Sequence, residues 1–206
     1  AAARPSELDA LTVRAAAAGE APLLQVLLER HQPLLSPLVA NRVLLAAVCA
    51  NQGECAALVL GQGASPNATS SFGVTALQSA VQQRGAGIAH RLLAACADVL
   101  ALDSNRQTAL HHAARAGADN GCLAALLDRW ESVAGDDDGS ACASRDVWGR
   151  TPLHWAVING HREAIVTLVE AGSDIALRDK QHESAPDLAE RRATCHAVGS
   201  EAGATS

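Results

Sequence analysis

The chain has 206 residues, 49% hydrophobic but only 2% aromatic, with no Tyr, no Met, one Phe, three Trp and a net charge of −6. A core must therefore come from closely packed Ala, Leu and Val, which favours helices over the aromatic and β-branched strands of a sandwich. The sixteen basic residues are scattered through an acidic chain and leave no footprint for nucleic acid, and the run Val43 to Ala50 is far short of the roughly 18 apolar residues that span a membrane.

The opening residues 1–7 lack the charged and apolar regions of a signal peptide and are expected to be flexible. With no Met even at position 1, the chain is expected to be a processed or excerpted piece. A degenerate first unit, 10–41, sets Ala15, Ala16, Gly19, Val26, Leu27 and Leu28 in apolar and turn slots. The second, 42–74, carries Leu44, Ala47, Leu58, Leu60 and Gly63 in the same register. The third, 75–107, opens on Thr75-Ala-Leu-Gln-Ser-Ala80 and continues to Leu92 and Leu93. The fourth, 108–150, opens on Thr108-Ala-Leu-His-His-Ala-Ala-Arg-Ala-Gly117 and continues through Leu123 to Leu127.

The fifth unit, 151–183, reads Thr151-Pro-Leu-His-Trp-Ala-Val-Ile-Asn-Gly-His161, then Ile165 to Val169 and Ala171-Gly-Ser-Asp174. Ser184-Ala-Pro-Asp-Leu-Ala189 starts a partial copy, 184–195, and 196–206 is expected to be a flexible tail. Arg42, Thr75 and Thr108 are 33 residues apart, as are Thr151 and Ser184. Thr108 and Thr151 are 43 apart, and the surplus falls on an acidic insertion, 134–143, expected to be a mobile loop. Its run Asp136, Asp137 and Asp138 lacks the alternating ligand spacing of a calcium loop, so no metal is assigned to it.

The logic of each unit is physical. A Thr at the helix start accepts a hydrogen bond from an otherwise free backbone N–H, and Pro152 suits a first helical turn. Small pairs such as Ala113 and Ala114 let antiparallel helices approach, while Leu123, Leu126 and Leu127 face the next unit; stacking buries a face that one unit cannot bury alone. Gly63 and Gly172 fall where second helices stop. Asp103, Asp146 and Asp179 precede Thr108, Thr151 and Ser184 by five residues, in a connecting turn that Asp favours.

These copies, covering residues 8–195, resemble the ankyrin repeat family, whose period they share. The resemblance implies an all-α solenoid of stacked helix-turn-helix units joined by β-hairpin loops. It implies a protein–protein interaction module, an adaptor, scaffold or substrate receptor, whose protein partner lies along a concave face of hairpin tips and first helices. Carried over by position, the candidate partner-binding residues are Phe72, Asn105, Trp148 and Arg150 at hairpin tips and His112, Arg115, Trp155 and Ile158 on first helices. Two of the three Trp and the only Phe fall among them, and Trp and Arg dominate binding hot spots. The competing reading of Trp155 is structural: a large apolar side chain packed on Trp148 and the hairpin. For His111 and His154 the resemblance implies hydrogen bonds tying helix starts to hairpins rather than paired catalytic bases.

No nucleophile elbow, Gly-rich phosphate loop or HExxH motif is present, so no enzyme activity is assigned and no cofactor is expected. Six cysteines show no CxxC and no zinc-ligand spacing with His, so no metal is expected. They are read as free thiols of an intracellular, reducing compartment, cytoplasm or nucleus. Two further readings stand beside the interaction module: a structural subunit embedded in a large assembly, and a regulatory region of a larger enzyme.

Overall fold

The computed structural model describes residues 5–31, 36–118, 120–134 and 140–201. Its regular structure is helical: α1 Pro5–Ala18, α2 Ala21–His31, α3 Pro37–Cys49, α4 Gly53–Gly61, α5 Ala76–Gln82, α6 Ala86–Ala94, α7 Ala109–Ala116, α8 Asn120–Val133, α9 Pro152–Asn159, α10 Arg162–Glu170 and α11 Ala185–Glu201. No described helix is long and apolar enough to cross a membrane. Contacts divide the chain into two compact units, Ala1–Ser104 and Asn105–Ser206.

In the N-terminal unit, α1 pairs with α2, α3 with α4 and α5 with α6; first helices stack as α1 on α3 on α5, second helices as α2 on α4 on α6. Leu24, Leu44, Leu77 and Leu92 are fully buried between these layers, each worth about 2 kcal/mol relative to exposure. Ala47 and Ala80, at the same register, are also wholly buried, because any larger side chain there would force the helices apart. The register expected from Arg42 holds, but α3 begins earlier, at Pro37. Ser36 accepts a hydrogen bond from Val39 N–H at 3.3 Å and Pro37 occupies the first turn, so a local stop-start signal, rather than the repeat period, sets this helix start.

In the C-terminal unit, α7 pairs with α8 and α9 with α10; α7, α9 and α11 stack, as do α8 and α10. Leu123, Leu153 and Leu168 form the core, with Ala113 and Ala156 at the close approach of helices. The acidic run of the insertion lies outside the described residues. The far end of that segment is a short 3₁₀ turn, Ala141–Ala143, with Ala141 and Cys142 buried. Helix α11 runs to Glu201, beyond the expected repeat limit at 195.

Second helices end as the glycines predict, with Gly63 at φ +87° and Gly172 at φ +84°. In the third repeat Cys96 takes the same left-handed conformation at φ +60°. Cys49, Cys55, Cys96 and Cys142 carry free thiols, and burial pushes the Cys55 thiol up.

Candidate functional site

The helix starts set the geometry. Thr108 and Thr151 receive the N–H of the third helical residue on their hydroxyls, and in return His111 and His154 offer Nδ1 to the Thr N–H, each at 3.2 Å. An Nδ1 that accepts leaves the proton on Nε2, so the far side of each ring donates: His111 to the Arg150 carbonyl at 3.1 Å, His154 to that of Glu183 at 3.3 Å. Each imidazole therefore locks its own helix start to the next hairpin. Gln78 does the same work in the third repeat, accepting from Thr75 N–H at 2.8 Å and donating to the Ala101 carbonyl at 2.9 Å. Asp187 caps Ser184 N–H at 2.9 Å. Burial pushes the His154 pKa down, against the raising effects of the Glu183 carbonyl and the Asp179 carboxylate.

Each hairpin is then held by its aspartate. Asp146, 4% exposed, accepts from Trp148 N–H and Arg150 N–H on one oxygen, both at 2.9 Å, and from Trp155 Nε1 at 2.9 Å and Gln107 Nε2 at 3.2 Å on the other. Asp179 accepts from Gln181 and Glu183 N–H at 2.8 and 3.2 Å and from Arg150 Nε at 3.2 Å. Burial pushes the Asp179 carboxyl up, but the two N–H groups and the Arg150 guanidinium outweigh it and hold it below its ordinary value. Neighbouring tips join through backbone bonds, Val147 N–H to the Asn105 carbonyl and Lys180 N–H to the Trp148 carbonyl, both 3.0 Å.

On this frame sits an aromatic and cationic cluster. The Trp148 and Trp155 rings meet edge to face, centroids 6.1 Å apart. The guanidinium carbons of Arg115 and Arg150 lie 5.8 and 5.3 Å from the Trp155 centroid, within cation–π range. Arg115 also donates to His112 Nδ1 at 3.2 Å, and Arg150 to Gln181 Oε1 at 3.3 Å.

A family model described as ankyrin repeats (3 copies) matches residues 43–137 and again 80–179. The chain belongs to the ankyrin repeat family. The B-cell lymphoma 3 protein homolog of Mus musculus is 40% identical over 84 residues, which is 41% of this chain and 17% of that protein. The Espin-like protein of Homo sapiens is 52% identical over 46 residues, 22% of this chain and 5% of that protein. The chain thus spans a small part of the length of the curated relatives it matches. Ankyrin repeats are in general protein–protein interaction modules.

Of the eight candidate residues in this ankyrin chain, Trp148, Trp155, Arg115 and Arg150 come together directly. His112 is 3% exposed; it orients Arg115 and offers a partner almost no surface of its own. Ile158 lies one turn along α9 from Trp155, half-buried beside Leu188, Arg191 and Arg192. Asn105 is exposed at its hairpin and enters the row of tips through its carbonyl. Phe72, 73% exposed, belongs to the N-terminal ankyrin unit. In the sequence Asp146 reads only as a turn former. Its hold on Trp155 had one available signal, an indole nine residues beyond a hairpin Asp at a first-helix position.

Proposed function

We propose that this ankyrin chain is an adaptor, scaffold or substrate-receptor module. Its protein partner binds the hairpin and first-helix face of the C-terminal unit, with Trp148 at the centre, Trp155, Ile158, Arg115, Arg150 and Asn105 around it, and His112 behind Arg115. The observation that carries the reading is that Trp148 is 44% exposed yet held in place, its backbone tied to Asp146 and its ring against Trp155. A rigid, half-exposed indole loses little conformational entropy on binding and buries a large area. The repeat domain is taken to span residues 8–195. Exposed thiols at Cys49 and Cys96 support a reducing, intracellular location, cytoplasm or nucleus.

The test is affinity capture from a cell extract with the intact chain and with Trp148→Ala. Loss of specific proteins from the variant, with its helical circular dichroism retained, supports this face. An unchanged set of captured proteins means recruitment runs elsewhere, and favours the embedded-subunit reading. Trp155→Ala is the poorer probe because it removes a donor from buried Asp146.

A further inference from the structure

We infer that the segment bound at this face is acidic, a peptide that sets a carboxylate on Arg115 and an aliphatic or aromatic side chain against Trp148. The inference rests on the proposed use of the hairpin and first-helix face and adds the chemistry of its occupant.

Arg115 carries the argument. Its guanidinium is held in place by His112 Nδ1 and by the Trp155 ring, yet among the described residues no carboxylate lies within ion-pair distance of it. A half-buried guanidinium with a settled orientation and no anion is prepared for a carboxylate, because the entropy of fixing the long side chain is already spent. Lys180, exposed at the neighbouring tip, also has no carboxylate partner, and its stem lies against Gly149, beside Trp148.

The distribution of charge within the unit points the same way. The hairpin carboxylates Asp146 and Asp179 are turned inward, 4% and 5% exposed, and occupied by backbone and side-chain donors. Glu183 is engaged by Arg191 at 2.8 Å. Of the exposed acids, Asp128, Glu131, Glu163 and Glu170 lie on the second helices α8 and α10 and Asp174 just past α10, while Asp187 and Glu190 lie on α11, where Asp187 is occupied by Arg178 and the Ser184 N–H. Charges more than about 8 Å apart are largely screened in physiological salt, so a docking segment at the hairpins meets cations although the whole chain has a net charge of −6. An oligonucleotide would also meet cations and indoles here, but these cations cluster about one indole pair and form no track that a phosphate backbone could follow.

The test pans a random peptide library displayed on phage against the intact chain. The recovered clones are then measured on the wild type, Trp148→Ala, Arg115→Gln and Lys180→Gln, each variant checked for retained helical circular dichroism. Clones that depend on Trp148 are expected to be net negative, to bind Arg115→Gln roughly tenfold more weakly, and to weaken as salt is raised. Trp148-dependent clones that are neutral or basic, or that bind Arg115→Gln and Lys180→Gln as well as wild type, overturn the acidic occupant and leave the face itself standing. Clones indifferent to Trp148→Ala overturn the face, and this inference with it. Tighter binding of single-stranded oligothymidylate than of any clone replaces the peptide with nucleic acid.

Discussion

Trp155 Nε1 donates to the Asp146 carboxylate at 2.9 Å, and through that bond helix α9 is clamped to the hairpin that precedes it. Because the other Asp146 oxygen takes two hairpin N–H groups, one buried carboxylate couples turn, helix and indole. Asp146→Asn must place an NH₂ against donors on one side. It is expected to lower stability by about 2–3 kcal/mol and to shift tryptophan emission to the red, both read in a urea titration followed by fluorescence. A variant as stable as wild type would show that the carboxylate is not holding the hairpin.

His154 makes stability depend on pH. Burial lowers its pKa from the ordinary 6.5, so the neutral ring is favoured in the fold, and its contribution is present above pH 6.5 and lost as pH falls through the lowered folded value. Protonation would turn an N–H of the ring against Thr151 N–H. Asp179, also lowered, adds a second loss in the same direction, below its ordinary 3.8. Gln does this work natively at position 78, so His154→Gln should keep the fold and flatten the first acid loss in thermal melts between pH 7 and 5. Equal steepness in both proteins would assign the loss to other groups.

Gly117 ends α7 at φ +66°, and a Cβ added there would fall 2.5 Å from His161 Nδ1. His161 Nε2 donates to the Arg115 carbonyl at 3.0 Å, so the glycine both turns the chain and makes room for a cap from the next repeat. Gly117→Ala combines left-handed strain with displacement of that ring and should cost about 2–3 kcal/mol in urea unfolding. A cost below about 0.5 kcal/mol would mean that the cap contributes little.

The hairpin turns place Gly73, Arg106, Gly149 and His182 at positive φ, two of them without glycine's freedom. His182 is exposed with φ +64°. His182→Gly is expected to raise stability by up to about 1 kcal/mol, measured by chemical denaturation. Destabilisation would show that its side chain contributes more than the strain costs.

What could be read along the chain was local. The capping residues Thr75, Thr108 and Thr151 act on backbone three residues away, the buried alanines recur with the period, and Gly63 and Gly172 answer to their own φ; each signal lies within a turn of the residue it governs. Where the local signal departed from the period, as at Ser36 and Pro37, the period misplaced the helix start. His112 holds a first-helix position that suggests a partner contact, yet it is buried and supports Arg115, because position alone cannot tell a contact from its support.

The sequence by itself determined the repeat, its register, the threonine helix caps and the row of hairpin aspartates, because these depend on neighbours a few residues apart. The tertiary structure alone decided which groups meet: Gln107 with Asp146 across 39 residues, Arg150 with Asp179 across 29, His161 with the Arg115 carbonyl across 46, and two guanidinium groups with one indole. Those meetings follow from how closely stacked helices approach and how far each side chain reaches, and neither quantity is written in the spacing of residues along the chain.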